Sequence, residues 1–140
     1  MLMLDAHPLN PILPAQDGPR AEAFYRDALG LRQLSPVGAD PMLFQAGNGT
    51  TIALTELPDR VPPDYPLIAF VVSEIDELVG QLAARGVVFL EPDASSFRGR
   101  EGAIDGPITD YGSVKSAWFR DSEGNILALN ELDQVLQHPG

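Results

Sequence analysis

An α+β fold built from two successive βαβββ units is predicted from the 140-residue sequence. Two segments carry apolar residues at helical spacing, which is typical of amphipathic helices. A short apolar run precedes each helix and three strand-like runs follow it. The segment between the halves, Leu57 to Pro66, is rich in proline and polar residues and is expected to be a linker. Such units predict sheets with one face covered by a helix and the other face open.

The first unit is predicted around a helix that starts after Asp17, a suitable N-cap, and stops at Gly30. Its apolar face consists of Ala21, Phe24, Tyr25, Ala28 and Leu29. Phe24 and Tyr25 are therefore expected to pack in the core. The strand-like runs of this unit are Asn10 to Ala15, Leu31 to Leu34, Met42 to Ala46 and Thr50 to Glu56.

The second unit repeats this arrangement, with Ser73 as the predicted N-cap and Gly86 as the stop. Its helical face consists of Ile75, Leu78, Val79, Leu82 and Ala83. The strand-like runs are Leu67 to Val72, Val87 to Leu90, Val114 to Arg120 and Ile126 to Asn130. Gly124 and Asn125 are expected to close a hairpin turn. The similarity between the halves is one of architecture, because few residues are identical between them.

A long irregular segment, 92–112, interrupts the second unit. Structureless segments of this length inside a compact domain are usually functional or mobile, so this loop is a candidate lid. Its Glu101 and Asp110 are possible acid or base groups, although the sequence pairs neither with a second group at a known distance.

Composition excludes several classes of function. The chain has no cysteine, which removes disulfides, thiol nucleophiles and thiolate metal sites. Its net charge of −11 opposes binding to nucleic acid or to an anionic membrane, and its nine basic residues form no stripe. No apolar run approaches the roughly 20 residues that span a bilayer, so a cytoplasmic protein is expected.

Two motifs resemble those of the vicinal oxygen chelate superfamily, which includes glyoxalases, extradiol dioxygenases and bleomycin-binding proteins. The motifs are D-x-x-R-A-x-x-F-Y-x-x-x-L-G-L at Asp17 to Leu31 and F-R-D-S-E-G-N-I-L at Phe119 to Leu127. The resemblance spans nearly the whole chain. It implies one domain in which two βαβββ modules form a curved eight-stranded sheet around a cavity, and it implies a homodimer. The modules would cover about 8–57 and 67–132, with a linker at 58–66 and a tail at 133–140.

The resemblance also implies where a divalent metal would be held in the enzymes of the superfamily. Carried onto this sequence, the four ligand positions are Asn10, Ala53, Leu67 and Ala128. Three of these side chains have no donor atom, and one amide oxygen falls far short of what a hard cation requires. Shifting the alignment by one residue in either direction finds no better ligand set, so no metal cofactor is expected.

Other residues complete the candidate site. Tyr111 precedes a glycine where relatives often have an aromatic residue near the cavity, and Trp118, the single tryptophan, is either core or a stacking wall. The two histidines, His7 and His138, lie in terminal segments and are expected to be solvated.

Two functions of different class remain open. The first is a metal-free protein that sequesters an apolar or cationic organic molecule, as antibiotic-binding members of the superfamily do. The second is a metal-dependent lyase, isomerase or dioxygenase, or a metal-independent enzyme that uses Asp110, Tyr111 or Glu101. Binding is favoured because the predicted cavity supplies shape and burial but no evident electrophile.

Overall fold

A computed structural model describes residues 3–92 and 102–132. The chain divides into two compact units, Met1–Pro62 and Pro63–Gly140, and the division falls inside the segment predicted to be a linker. Each unit contains its own sheet. The α+β class is thus confirmed, while the described strands number nine and form one four-stranded and one five-stranded sheet.

The first unit has the predicted βαβββ order. It contains β1 (Ile12–Ala15), α1 (Gly18–Ala23), β2 (Arg32–Gln33), β3 (Met42–Gln45) and β4 (Thr51–Glu56). The strand order is β1-β4-β3-β2, with β1 parallel to β4 and the other pairs antiparallel. The first strand begins at Ile12, two residues later than predicted.

The first helix starts where the sequence indicates. The Asp17 side chain accepts a hydrogen bond from the Arg20 backbone N–H at 3.1 Å, which satisfies one of the free donors of the first turn. Past α1 the backbone continues as a π-helical turn, Phe24–Ala28, and ends at Gly30, whose φ is 72°. Tyr25 is fully buried, as predicted, and its ring lies 5.9 Å from that of Phe44, whereas Phe24 is only half-buried.

The second unit contains β5 (Pro66–Val71), α2 (Ile75–Ala84), β6 (Ala103–Asp105), β7 (Ile108–Asp110), β8 (Val114–Arg120) and β9 (Ile126–Leu132). The strand order is β5-β9-β8-β7-β6, with only β5 and β9 parallel. Buried residues of α2 contact β8 and β9. They pack on the side of the sheet that carries Phe119 and Leu127. Glu131 is on the same face of β9 as Leu127, and its carboxylate binds the Ile75 N–H at the start of α2.

Three predictions for the second unit were wrong in detail. Val87 to Leu90 forms an isolated bridge, Phe89 to Phe119, in place of a strand. Residues 103–110 of the predicted loop form the hairpin β6–β7, and 93–101 lie outside the described residues, so the lid remains a prediction. The N-cap of α2 is Glu74 and not Ser73, since the first helical donor, Ile75 N–H, is bound by the Glu131 carboxylate of β9 at 3.0 Å.

The turn between β8 and β9 fixes the register of these two strands. The buried Asp121 carboxylate accepts hydrogen bonds from the backbone N–H groups of Glu123 and Asn125 at 2.8 and 2.9 Å. Gly124 has a φ of 85°, a left-handed conformation that favours glycine. The predicted hairpin turn is present, and it places Trp118 directly opposite Ala128.

No helix among the described residues is long and apolar enough to cross a membrane.

Candidate functional site

A cavity of about 520 Å³ lies within the second unit, on the face of its sheet opposite α2. Residues of β5, β8 and β9 and of the turn before β8 line it. The apolar part of the lining includes Leu67, Ile68, Ala69, Val114, Ala128 and Leu132. The volume is within the range of about 300–1,000 Å³ that is usual for small-molecule sites.

Trp118 forms an aromatic wall of this cavity. It belongs to β8, whose alternate residues Val114, Ser116 and Trp118 share the cavity face. The side chain packs with Ile126 and Ala128 and is 7% exposed. The backbone carbonyl of Trp118 accepts a hydrogen bond from Leu90 N–H at 2.8 Å, which helps to hold this part of the strand. The tryptophan is thus both part of the core and part of the cavity wall.

Ala128 and Leu67 contribute the apolar floor. Ala128 stands opposite Trp118 on one side and Ala69 on the other, and all three residues line the cavity. Leu67 lies at an irregularity in the pairing of β5 with β9, between Pro66 and Ile68. Such irregularities re-aim side chains locally, and Leu67 lines the cavity together with Ile68, its neighbour in the strand.

Tyr111 is held at the rim by the turn that joins β7 to β8. Its backbone N–H donates to the Val114 carbonyl at 2.9 Å, and the Gly112 N–H donates to the Asp110 carboxylate at 2.8 Å. Gly112 has a φ of 95°, which favours glycine. The ring also packs close to Gly102: a Cβ at that glycine would lie 3.0 Å from Tyr111 Cδ1. Because Gly102 has no side chain, the Tyr111 ring can pack directly against its backbone.

Ser116 and Asn130 bring polar groups to the cavity. They are opposite each other on β8 and β9, and Ser116 Oγ donates a hydrogen bond to Asn130 Oδ1 at 2.8 Å. Both line the cavity. This pair was not predicted from sequence, because it becomes apparent only once the register of β8 and β9 is known.

The six residues singled out from sequence are divided between the units. Leu67, Tyr111, Trp118 and Ala128 come together in the second-unit cavity. Ala53 is buried in β4 of the first unit, paired with Ile12 and Leu43. Asn10 precedes β1 and is exposed.

The donor set of the described residues does not fit a divalent metal. No group of three or more His, Asp or Glu side chains that could hold a metal occurs within 3–92 and 102–132. His7 is exposed and His138 lies outside these ranges. The four positions that the resemblance assigns to metal ligands carry Asn10 and three apolar side chains.

The cavity lining has no side chain that is a usual acid or base catalyst. The described lining contains no Asp, Glu, Lys, Arg or His. Asp110 is engaged in its own turn, and Glu101 lies outside the described residues. A lowered pKa is found at Asp27, caused chiefly by the hydrogen bond from Arg26, but this exposed pair belongs to the first unit.

Comparison with known proteins gives the family. A model of the Glyoxalase/Bleomycin resistance protein/Dioxygenase superfamily matches residues 6–129. The chain belongs to this superfamily. No curated protein matches it. The resemblance stated from the two sequence motifs is confirmed, and the fold expected of the superfamily agrees with that of the chain.

Solved structures that are similar to this chain include a binding protein and enzymes. TnmS3, an antibiotic-binding protein from Streptomyces sp. CB03234, has a TM-score of 0.65 at 23% identity, covering 91% of this chain and 96% of that one. Lactoylglutathione lyase from Agrobacterium tumefaciens has a TM-score of 0.64 at 20% identity, with 90% and 93% covered. A glyoxalase/dioxygenase from Nostoc punctiforme has a TM-score of 0.62 at 19% identity, with 89% and 90% covered. At these identities the similarity shows the fold alone.

Proposed function

We propose that this chain is a metal-free small-molecule-binding protein that sequesters an organic ligand in the cavity of its second unit. The observation that carries the proposal is the cavity itself: about 520 Å³, with an apolar floor, a tryptophan wall and one hydrogen-bonded polar pair. Such sites bind by burial of apolar surface and take their orientation from a few polar groups.

The lining supports binding over catalysis. A catalytic site needs a nucleophile, an acid–base pair or an electrophile within reach of the substrate. The hydroxyl groups of the described lining belong to Tyr111, Ser113 and Ser116, and the lining has no Asp, Glu, Lys, Arg or His side chain that would activate them. The similarity to the antibiotic-binding TnmS3 supports the proposal further, because the same fold serves a binding function there.

The apolar lining also favours a ligand whose buried part is uncharged. A charged group placed among apolar side chains without a partner would lose its hydration at a large cost. The net charge of −11 still favours the approach of a cation over long range, so a cationic group that stays in water is compatible with the site.

The alternative is a metal-dependent lyase, isomerase or dioxygenase, and the similarity to a lactoylglutathione lyase is the observation that favours it. It requires ligands other than Asn10, Ala53, Leu67 and Ala128. Metal analysis of the purified protein, and thermal melting with added Zn, Mn, Ni or Fe(II), separates the two functions. About one metal per chain, with a raised melting temperature, would overturn the metal-free proposal and favour the alternative, because a ligand that binds only the folded state stabilises it.

The binding function is tested with N-phenyl-1-naphthylamine, an uncharged aromatic probe that absorbs where tryptophan emits. Trp118 is the single tryptophan and lines the cavity, so energy transfer from it reports a probe bound nearby. We expect saturable binding with strong energy transfer. Absence of binding would refute the proposed function.

A matched pair of variants locates the probe. Leu67→Asp places a charge in the cavity lining, whereas Val71→Asp places one on the same strand at a position that is 63% exposed and outside the lining. We expect the first to weaken binding and the second to leave it unchanged. Equal effects would place the probe elsewhere.

The homodimer and the cytoplasmic location expected from sequence stay predictions. Light scattering of the purified protein tests the first, and fractionation of cells that express it tests the second.

A further inference from the structure

Three hydrogen-bonding side chains form a row across the second sheet. Thr109 on β7 is the pairing partner of Ser116 on β8, and Ser116 is the partner of Asn130 on β9. Residues that pair directly across neighbouring strands project to the same face, so the row lies on the face that carries Trp118 and Ala128. The other lining residues on β5, β8 and β9 are apolar or aromatic.

The bond within the row orients the Asn130 amide. Asn130 Oδ1 accepts from the Ser116 hydroxyl at 2.8 Å, which uses the acceptor end of the amide and leaves the donor end, Nδ2, for a ligand. Both residues line the cavity, and Ser116 is buried. The cavity thus presents a positioned N–H donor beside an aromatic wall.

Thr109 marks the limit of the site. Its hydroxyl is fully buried and has no hydrogen-bond partner among the described residues. It is not part of the cavity lining, so a ligand held in the cavity does not reach it. Two residues of the row, Ser116 and Asn130, therefore line the cavity, and the third, Thr109, is closed to a ligand.

Building on the proposed binding function, we propose that Asn130 selects the ligand class: planar, uncharged ring systems that carry a carbonyl oxygen. The ring would lie against Trp118, and the carbonyl would accept a hydrogen bond from Asn130 Nδ2. A similar molecule without the oxygen would leave the amide donor buried and unpaired, and sites built to hydrogen-bond a ligand discriminate strongly against such analogues. Ser116 acts as a positioning residue through its bond to the amide.

The test compares 9-fluorenone with fluorene, which have the same three fused rings and differ by a carbonyl in place of a methylene group. Each competes with N-phenyl-1-naphthylamine, and energy transfer from Trp118 reports the displacement. We expect fluorenone to bind about tenfold more tightly than fluorene, which is the effect of one well-placed hydrogen bond. Equal affinities would overturn the inference. Because the probe binds in either case, that result differs from failure of the proposed function, in which the probe does not bind.

Variants assign the preference to Asn130. Asn130→Leu is expected to remove the preference for fluorenone, and Asn130→Asp, which keeps the shape but replaces the donor by an acceptor, is expected to reverse it. Ser116→Ala is expected to reduce the preference, because the amide loses the bond that orients it. If a tenfold preference persisted in both Asn130 variants, the inference would be wrong.

Thr109→Val is the matched control within the same row. It removes a hydroxyl next to Ser116 but outside the cavity lining, and we expect the preference to stay at its native value. A loss of preference in this variant as large as in Asn130→Leu would show that the effect comes from disturbance of the sheet, and would contradict the role of Asn130.

Discussion

Gly102→Ala tests whether close packing behind Tyr111 shapes the cavity. The added Cβ would lie 2.6 Å from Thr109 Cγ2, 2.9 Å from the Asp110 carbonyl oxygen and 3.0 Å from Tyr111 Cδ1. Carbon atoms pack best at about 3.5–4.0 Å, so the closest contact is short by roughly 1 Å. The neighbours cannot easily yield, because Thr109 is fully buried and the oxygen belongs to the backbone.

The expected cost of Gly102→Ala is about 2 kcal/mol, within the range of 1–3 kcal/mol for overpacked sites. For a chain of this size the loss lowers the melting temperature by about 6 °C. Displacement of the tyrosine ring should also weaken the binding of N-phenyl-1-naphthylamine. Thermal melting and the fluorescence titration measure the two effects.

Gly80→Ala provides the matched control in the same unit. Gly80 is an exposed residue inside α2, and a Cβ there would meet no atom within 4 Å. The same substitution should therefore stabilise the protein by about 0.5–1 kcal/mol, because alanine favours the helix. Native melting and native probe affinity in the Gly102 variant would refute the packing argument.

Three further substitutions test local features of the fold by thermal or denaturant unfolding. Asp17→Ala should lower the free energy of unfolding by about 1 kcal/mol because the Arg20 N–H loses its cap, whereas Asp17→Ser, which can still cap, should not. Glu74→Gly should raise the free energy of unfolding by about 0.5–1 kcal/mol, because Glu74 has a φ of 54°, a left-handed conformation that is strained for a residue with a Cβ. A lower free energy of unfolding in this variant would contradict that strain. Thr109→Val should raise the free energy of unfolding by about 1 kcal/mol by removing an unpaired buried hydroxyl, and destabilisation would show that the hydroxyl has a partner.

Local sequence signals were sufficient for much of the fold. The β8 strand has the predicted bounds, Val114 to Arg120, because its alternating pattern is closed by a strong turn. The stops at Gly30 and Gly86 were found since both residues have positive φ. These features depend on residues close together in the chain, which is where pattern-based reasoning works well.

Longer-range contacts explain what the sequence did not predict. The Ser73 cap was wrong because Glu131, 56 residues beyond Ile75, binds the helix terminus. The β6–β7 hairpin was missed because its strands have three residues each, too few for a recognisable alternation. Of the candidate site, Leu67 and Ala128 came from positions that the superfamily resemblance implies and Trp118 from its place in a strand. The third apolar position, Ala53, lies in the first unit, and the Ser116–Asn130 pair became visible only with the register of β8 and β9.

We propose that the second-unit cavity binds an organic molecule without a metal. The most direct test is the affinity for N-phenyl-1-naphthylamine, read by energy transfer from Trp118, in protein dialysed against EDTA and again after addition of Zn, Mn, Ni or Fe(II). We predict saturable binding in the metal-free protein and the same affinity after each addition. Binding that requires one of these metals, or no energy transfer in any of the samples, would contradict the claim.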